Sequence, residues 1–110
     1  MIHLTEETEI LIAIDPIDFR KQIDGIAALC SNQFSQDTYS GKLFVFINRG
    51  KTMIRFLHHD GSGYWLATKR LSRGRYDEWP KKDSKSIASI HAKEFKKILN
   101  SLIATRVKRV

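Results

Sequence analysis

The stretch GKLFVFINRGKTMIRFLHHDGSGYWLATKRLSRGRY, Gly41 to Tyr76, decides how the rest of the chain is read. It contains three strand-like runs, two glycine-marked turns and eight of the basic residues. Leu43 to Ile47 is apolar at five consecutive positions, too short for a helix and suited to a strand covered on both faces. Asn48, Arg49 and Gly50 interrupt it with the chemistry of a short hairpin loop. A second run, Thr52 to His58, ends at Asp60-Gly61-Ser62-Gly63, where two glycines take positive φ at little cost. The third, Tyr64 to Leu71, is aromatic at its start and basic near its end. Loops this short cannot carry a parallel crossover, so the three runs read as an antiparallel meander.

On the N-terminal side, Glu9 to Ile14 alternates loosely and places Ile10, Ile12 and Ile14 on one strand face, with Leu11 and Ala13 opposite. Asp15-Pro16 or Asp18 then opens a helix, as N-cap aspartate or first-turn proline. Phe19, Ile23, Ile26, Ala27 and Cys30 form its apolar stripe. Gly25 inside it is tolerable where the helix crosses the sheet closely. Ser31 to Ser40 is a polar connection. On the other side, Ser72-Arg73-Gly74-Arg75 is a basic turn and Lys81 to Ser86 a charged loop. Phe95, Ile98, Leu99, Leu102 and Ile103 then trace one face of a second helix, with Lys93, Lys96 and Lys97 off that face. The expectation is a single compact α+β domain over residues 1–110, β-α-β-β-β-α: an antiparallel β-meander, an additional N-terminal strand and two amphipathic helices. A basic tail occupies about residues 105–110. Where the first strand joins the sheet is open; pairing with an edge of the meander gives four strands.

A chain of 110 residues has room for one modest core and buries roughly two-thirds of its unfolded surface. The single cysteine, Cys30, excludes an internal disulfide and fits a reducing compartment. The N-terminus lacks the pattern of a signal peptide, and no apolar run approaches the ~20 residues that span a bilayer, so a cytoplasmic protein is expected. The net charge of +7 is unevenly placed. Residues 1–40 carry two Lys/Arg against seven Asp/Glu, residues 41–75 eight against one, and residues 76–110 nine against four. An acidic first third followed by a basic remainder implies one positive face, which suits either a phosphate backbone or plain solvation.

The basic residues of the meander gather at one end. Arg49 and Lys51 sit at the first hairpin turn, and the third strand returns Lys69, Arg70, Arg73 and Arg75 towards it, with Tyr76 and Trp79 close by. Arginines make bidentate phosphate contacts and exposed aromatics stack on bases, so these eight residues form the candidate nucleic-acid-binding rim. The alternative reading makes Tyr76 and Trp79 core lids and pairs the arginines with the acidic N-terminal third. His58-His59-Asp60 is the one cluster that invites a metal or catalytic role. Adjacent histidines on a strand point to opposite faces, however, and an aspartate opening a glycine turn satisfies backbone N–H groups itself. A divalent-metal centre for phosphoryl transfer needs several converging carboxylates, and the meander has only Asp60. Asp60-Gly61-Ser62-Gly63 lacks the spacing and the following Lys-Ser/Thr of a phosphate loop. Cys30 has a buried helical phase and no implied partner histidine. No catalytic residue, metal or cofactor is expected.

Asp60-Gly61-x-Gly63-x-x-Leu66-x-x-Lys69-Arg70-Leu71-x-x-Gly74, preceded by Leu43-Phe44-Val45-Phe46-x-Asn48-Arg49, resembles a family of small bacterial insertion-sequence proteins. These are the TnpB-type products of the second reading frame of insertion-sequence family sixty-six, unrelated to the RNA-guided nucleases sharing that name. The resemblance extends to Asp18-x-Arg20-Lys21-x-x-Asp24-Gly25-Ile26 and to Trp79-Pro80, in order along most of the chain. In that family an aromatic usually stands at the place of His59 while the aspartate stays, which implies packing and a turn. The resemblance implies a non-catalytic accessory protein of transposition. Its expected partners are DNA at the element's ends, the transposase and the element's other accessory protein. An adaptor that contacts the transposase without touching DNA is the alternative, and a small metal-dependent nuclease using His58, His59 and Asp60 a remote one.

Overall fold

The computed structural model describes residues 7–80, 87–90 and 95. Its strands are β1 (Ile10–Ala13), β2 (Leu43–Ile47), β3 (Met53–His59), β4 (Tyr64–Arg70) and β5 (Ile87–Ile90), with one helix, α1 (Ile23–Asn32). The strands form one sheet in the order β4-β3-β2-β1-β5. β2, β3 and β4 are antiparallel in succession, with Phe44 opposite Leu57 and Leu57 opposite Leu66. β1 lies parallel to β2, with Ile10 opposite Leu43, and antiparallel to β5. The sheet is therefore mixed. The connection through α1 is long enough for the crossover that the short hairpin loops cannot make.

The burial of β1 on both faces follows from its residues. Ile10 to Ala13 and Leu43 to Ile47 are buried at every position, as strands covered on both faces must be. Leu11, Ala13, Phe44, Phe46 and Leu57 meet Ile26 and Cys30 of α1 on one face. Ile10, Ile12, Leu43, Val45, Ile47 and Ile54 meet Leu71, Tyr76, Trp79 and Phe95 on the other. The Trp79 indole N–H donates to the Ala13 carbonyl at 3.1 Å, fixing this cover to the end of β1. Phe95 is helical and sits edge-on to Phe56 at 5.7 Å between ring centroids.

Three expectations are corrected. The first helix starts at Ile23, not at Asp15-Pro16 or Asp18, because residues 17–21 are bound to the end of the sheet. Ile17 N–H donates to Ile47 C=O, and Asp18 accepts from Arg20 rather than capping a helix. Phe19 thus lies outside α1, though it still packs on the same core. Gly25 is not a point of close crossing: a Cβ there meets only Lys21 Cβ and Cγ, at 3.6 and 3.8 Å. The fifth strand, β5, stands where the sequence offered no strand pattern. The expected second helix falls outside the described residues except for Phe95, as does the basic tail. No described helix is long and apolar enough to cross a membrane.

Candidate functional site

The β2–β3 loop is built around Asn48. Its side-chain carbonyl accepts the backbone N–H groups of Thr52 and Met53 at 2.9 and 3.0 Å, and its amide donates to Thr52 Oγ1 at 3.0 Å. The loop reverses at Lys51, whose φ is 59°. This conformation is strained for any residue with a Cβ. The strand returning along β4 is then fastened to the same loop. Leu71 N–H donates to Thr52 C=O at 2.9 Å, and Tyr76 N–H donates to Lys51 C=O at 2.8 Å. Between those bonds Ser72 to Arg75 bulge outward, turned by Gly74 at φ 74°. Two basic loops, far apart in sequence, are stitched together at one end of the sheet.

Arg49, Lys51, Lys69, Arg70, Arg73 and Arg75 are all exposed there. Strand alternation divides two of them. Arg70 shares the α1 face with Leu66 and Thr68, while Lys69 lies on the other face, opposite Ile54. The ion pairs seen among the described residues, Arg20–Asp18 and Lys42–Glu9, include none of the six. The alternative in which the acidic N-terminal third neutralises the rim is not seen there. Two open clefts flank the loop. One, of about 720 Å³, is lined by Arg20, Arg49, Arg55 and Asp18 among others. The smaller, about 240 Å³, includes Lys51, Asp77 and Trp79.

Tyr76 and Trp79, expected as stacking partners for bases, are instead core residues. Tyr76 is 0% and Trp79 7% exposed, so neither ring offers a face to a ligand. Tyr76 Oη is buried with no hydrogen-bond partner among the described residues, and burial pushes its pKa up to about 12. Both sit in the apolar cluster opposite α1, where the lid reading places them.

Arg20 and Arg55, which line the larger cleft, fall outside the eight rim residues. Arg55 is held on all sides. Its Nη1 donates to the carbonyls of Phe19 and Lys21 at 2.8 and 3.0 Å, its Nε to Thr68 Oγ1 at 2.9 Å, and its guanidinium lies 4.5 Å over the Phe19 ring. Arg20 grips Asp18 through Nε and Nη2 and holds that carboxyl down to about 2. The Asp18-x-Arg20 spacing is the sequence signal for this pair; nothing local announces that Arg55 reaches across to residues 19 and 21.

At the opposite end of the sheet, His58-His59-Asp60 is consumed by structure. Asp60 accepts from Ser62 N–H and Oγ, from Gly63 N–H and from the Trp65 indole, and these donors hold its pKa well below the carboxylate range. His59 Nδ1 accepts from Gly61 N–H, and the ring packs edge-on to Tyr39 and Tyr64. His58 lies on the other strand face, with Nδ1 3.4 Å from the Lys42 carbonyl. Among the described residues no three His, Cys, Asp or Glu side chains converge to hold a metal. Cys30 is buried and its thiol is pushed up to about 12, far from a nucleophilic thiolate.

A relative in Sinorhizobium fredii (strain NBRC 101917 / NGR234), described as uncharacterized protein y4jC, is 36% identical over 109 residues, covering 99% of this chain and 92% of its own. A second from the same organism, uncharacterized protein y4hO, is 31% identical over 88 residues, covering 80% of this chain and 76% of its own. No solved structure matches. The family described as IS66 Orf2 like protein matches residues 8–109, nearly the whole chain including every residue of the basic end, and the chain belongs to that family.

Proposed function

We propose that this protein is a non-catalytic accessory factor of insertion-sequence transposition that binds DNA through the basic end of its sheet. Family membership supports the setting. One observation supports the mechanism: two loops bonded to each other, with the adjoining end of β4, present Arg49, Lys51, Lys69, Arg70, Arg73 and Arg75 to solvent, and the ion pairs seen among the described residues include none of them. Exposed guanidinium and ammonium groups at the sheet end suit phosphate oxygens, and their distribution over both faces suits a backbone running past that end rather than one small anion. Buried Tyr76 and Trp79 leave no stacking from those rings, so the contact is electrostatic and weakly dependent on base sequence.

Fluorescence anisotropy with labelled duplex DNA across a salt series tests this. Six phosphate contacts give a log–log slope near −5, and changing Arg49, Arg70, Arg73 and Arg75 to alanine removes about 3.6 of it. No binding at low salt, or a variant that binds like the wild type, overturns the proposal. The first result leaves an adaptor that docks on an acidic surface of the transposase.

A further inference from the structure

β4 is the outer strand of the sheet, bonded to β3 alone among the described residues. The ladder between them alternates. Leu71 N–H bonds Thr52 C=O at one end and Asp60 N–H bonds Gly63 C=O at the other. Trp65, Ala67 and Lys69 therefore turn their backbone groups inward to β3, while Tyr64, Leu66, Thr68 and Arg70 turn theirs outward. The outward row is four N–H and four C=O groups with no strand partner among the described residues, a template for another strand. Its composition runs from Tyr64 and Trp65 at one end to Lys69 and Arg70 at the other, and Trp65 is 43% exposed.

We propose that β4 pairs antiparallel with β4 of a second copy of this chain, about a twofold axis at Ala67. In that register Leu66 lies opposite Thr68 and Tyr64 opposite Arg70, which are the outward-facing residues, so every free group of the edge meets its complement. Trp65 lies opposite Lys69 in a pair without hydrogen bonds, where side chains approach most closely. Each end of the shared ladder then sets a cation against an aromatic ring, with no like charges opposed. Shifting by one residue turns outward groups against inward ones, and shifting by two leaves Arg70 or Tyr64 outside the pairing. The indole is already oriented, because its N–H donates to Asp60 at 2.8 Å. An unrelated strand would have to supply this aromatic-to-basic order independently, whereas a second copy carries it. The isologous pair closes on itself and leaves no further free β4 edge. It also brings the second copy's Trp65 and Tyr64 beside each basic end, where the chain's own Tyr76 and Trp79 are buried.

Light scattering after size exclusion, together with amide exchange by NMR, tests this on the full chain. The wild type is expected at twice the 12.7 kDa chain mass. The amides of Tyr64, Leu66, Thr68 and Arg70 are expected to exchange as slowly as those of Trp65, Ala67 and Lys69. Trp65→Lys opposes Lys69 of the other copy, and is expected to weaken self-association about tenfold or more while freeing only the four outward amides. The double variant Trp65→Lys, Lys69→Trp restores both. A monomer at every concentration overturns the inference, as does a dimer whose four outward amides exchange freely or one indifferent to Trp65→Lys. The wild-type exchange pattern decides the matter alone if the single variant fails to fold.

Discussion

The backbone carbonyl of Lys51 accepts the N–H of Tyr76 at 2.8 Å, and this bond makes one basic surface out of two loops. Lys51 holds the left-handed conformation, φ 59°, to present that carbonyl. For a lysine the conformation costs about 1 kcal/mol, which glycine avoids at a comparable loss of chain entropy. Lys51→Gly should therefore unfold in urea within about 1 kcal/mol of the wild type. With the loop intact and one cation gone, the salt dependence of DNA binding should flatten by about one in slope. An unchanged slope would remove Lys51 from the contact surface.

Arg55 belongs to the same end of the sheet but does different work. Its guanidinium already bonds Phe19 C=O, Lys21 C=O and Thr68 Oγ1 and covers the Phe19 ring. Arg55→Ala leaves those acceptors without their charged donor and loosens the segment that enters α1. A loss of about 2–3 kcal/mol is expected in urea unfolding. Arg55→Lys should recover less than half of it, since an ammonium cannot fork between two carbonyls and stack as well. The salt slope of DNA binding by the folded fraction should stay unchanged.

The contrast between these residues shows what was legible in the sequence. The hairpin loops of Gly41 to Tyr76 were readable because turn chemistry is local: Asn48-Arg49-Gly50 and Asp60-Gly61-Ser62-Gly63 announce themselves. The full burial of Leu43 to Ile47 was equally plain. The interior seat of β1 was not, because a parallel pairing depends on how a long connection returns, and Ile10 to Ala13 read the same at an edge. β5 is four residues, too short to show a period. At the candidate site, charge placed the cations correctly at one end, since antiparallel geometry fixes where the third strand returns. It misjudged Tyr76 and Trp79, because an aromatic after a basic turn looks alike whether it faces water or the core. The Trp79 bond to Ala13 spans most of the chain and leaves no local trace.

Two buried acids set an alkaline limit to stability. Burial raises the Cys30 thiol from 9.0 to about 12 and the Tyr76 hydroxyl from 10.0 to about 12. Both folded values lie above the unfolded ones, so the unfolded chain loses these protons first. Stability is then fully present below about pH 9 and falls as pH rises towards 12. Tyr76→Phe removes one of the two groups and a hydroxyl that has no partner among the described residues. It should match or exceed the wild type by about 1 kcal/mol at pH 7, with the gap widening above pH 10. Thermal melts of both proteins between pH 7 and 11 check the sign. A wild-type Tm that climbs over that range would contradict the burial of both groups.

Gly25 offers the cleanest test of how closely α1 approaches the sheet. It is the third residue of the helix, its φ is not positive, and an added Cβ would make only ordinary contacts of 3.6 and 3.8 Å with the Lys21 side chain. Nothing in the packing requires glycine, so Gly25→Ala should stabilise the protein by up to about 1 kcal/mol through helix propensity alone. For a domain of this size that is a rise in Tm of roughly 4–8 °C at most. The gain shrinks with position, because first-turn residues feel propensity less than those at the centre. Had the helix crossed the sheet closely at Gly25, the methyl group would clash and Tm would drop. A lower Tm in Gly25→Ala would therefore place α1 nearer the sheet than Ile26 and Cys30 alone require, and a raised one confirms a helix that rests on those two side chains.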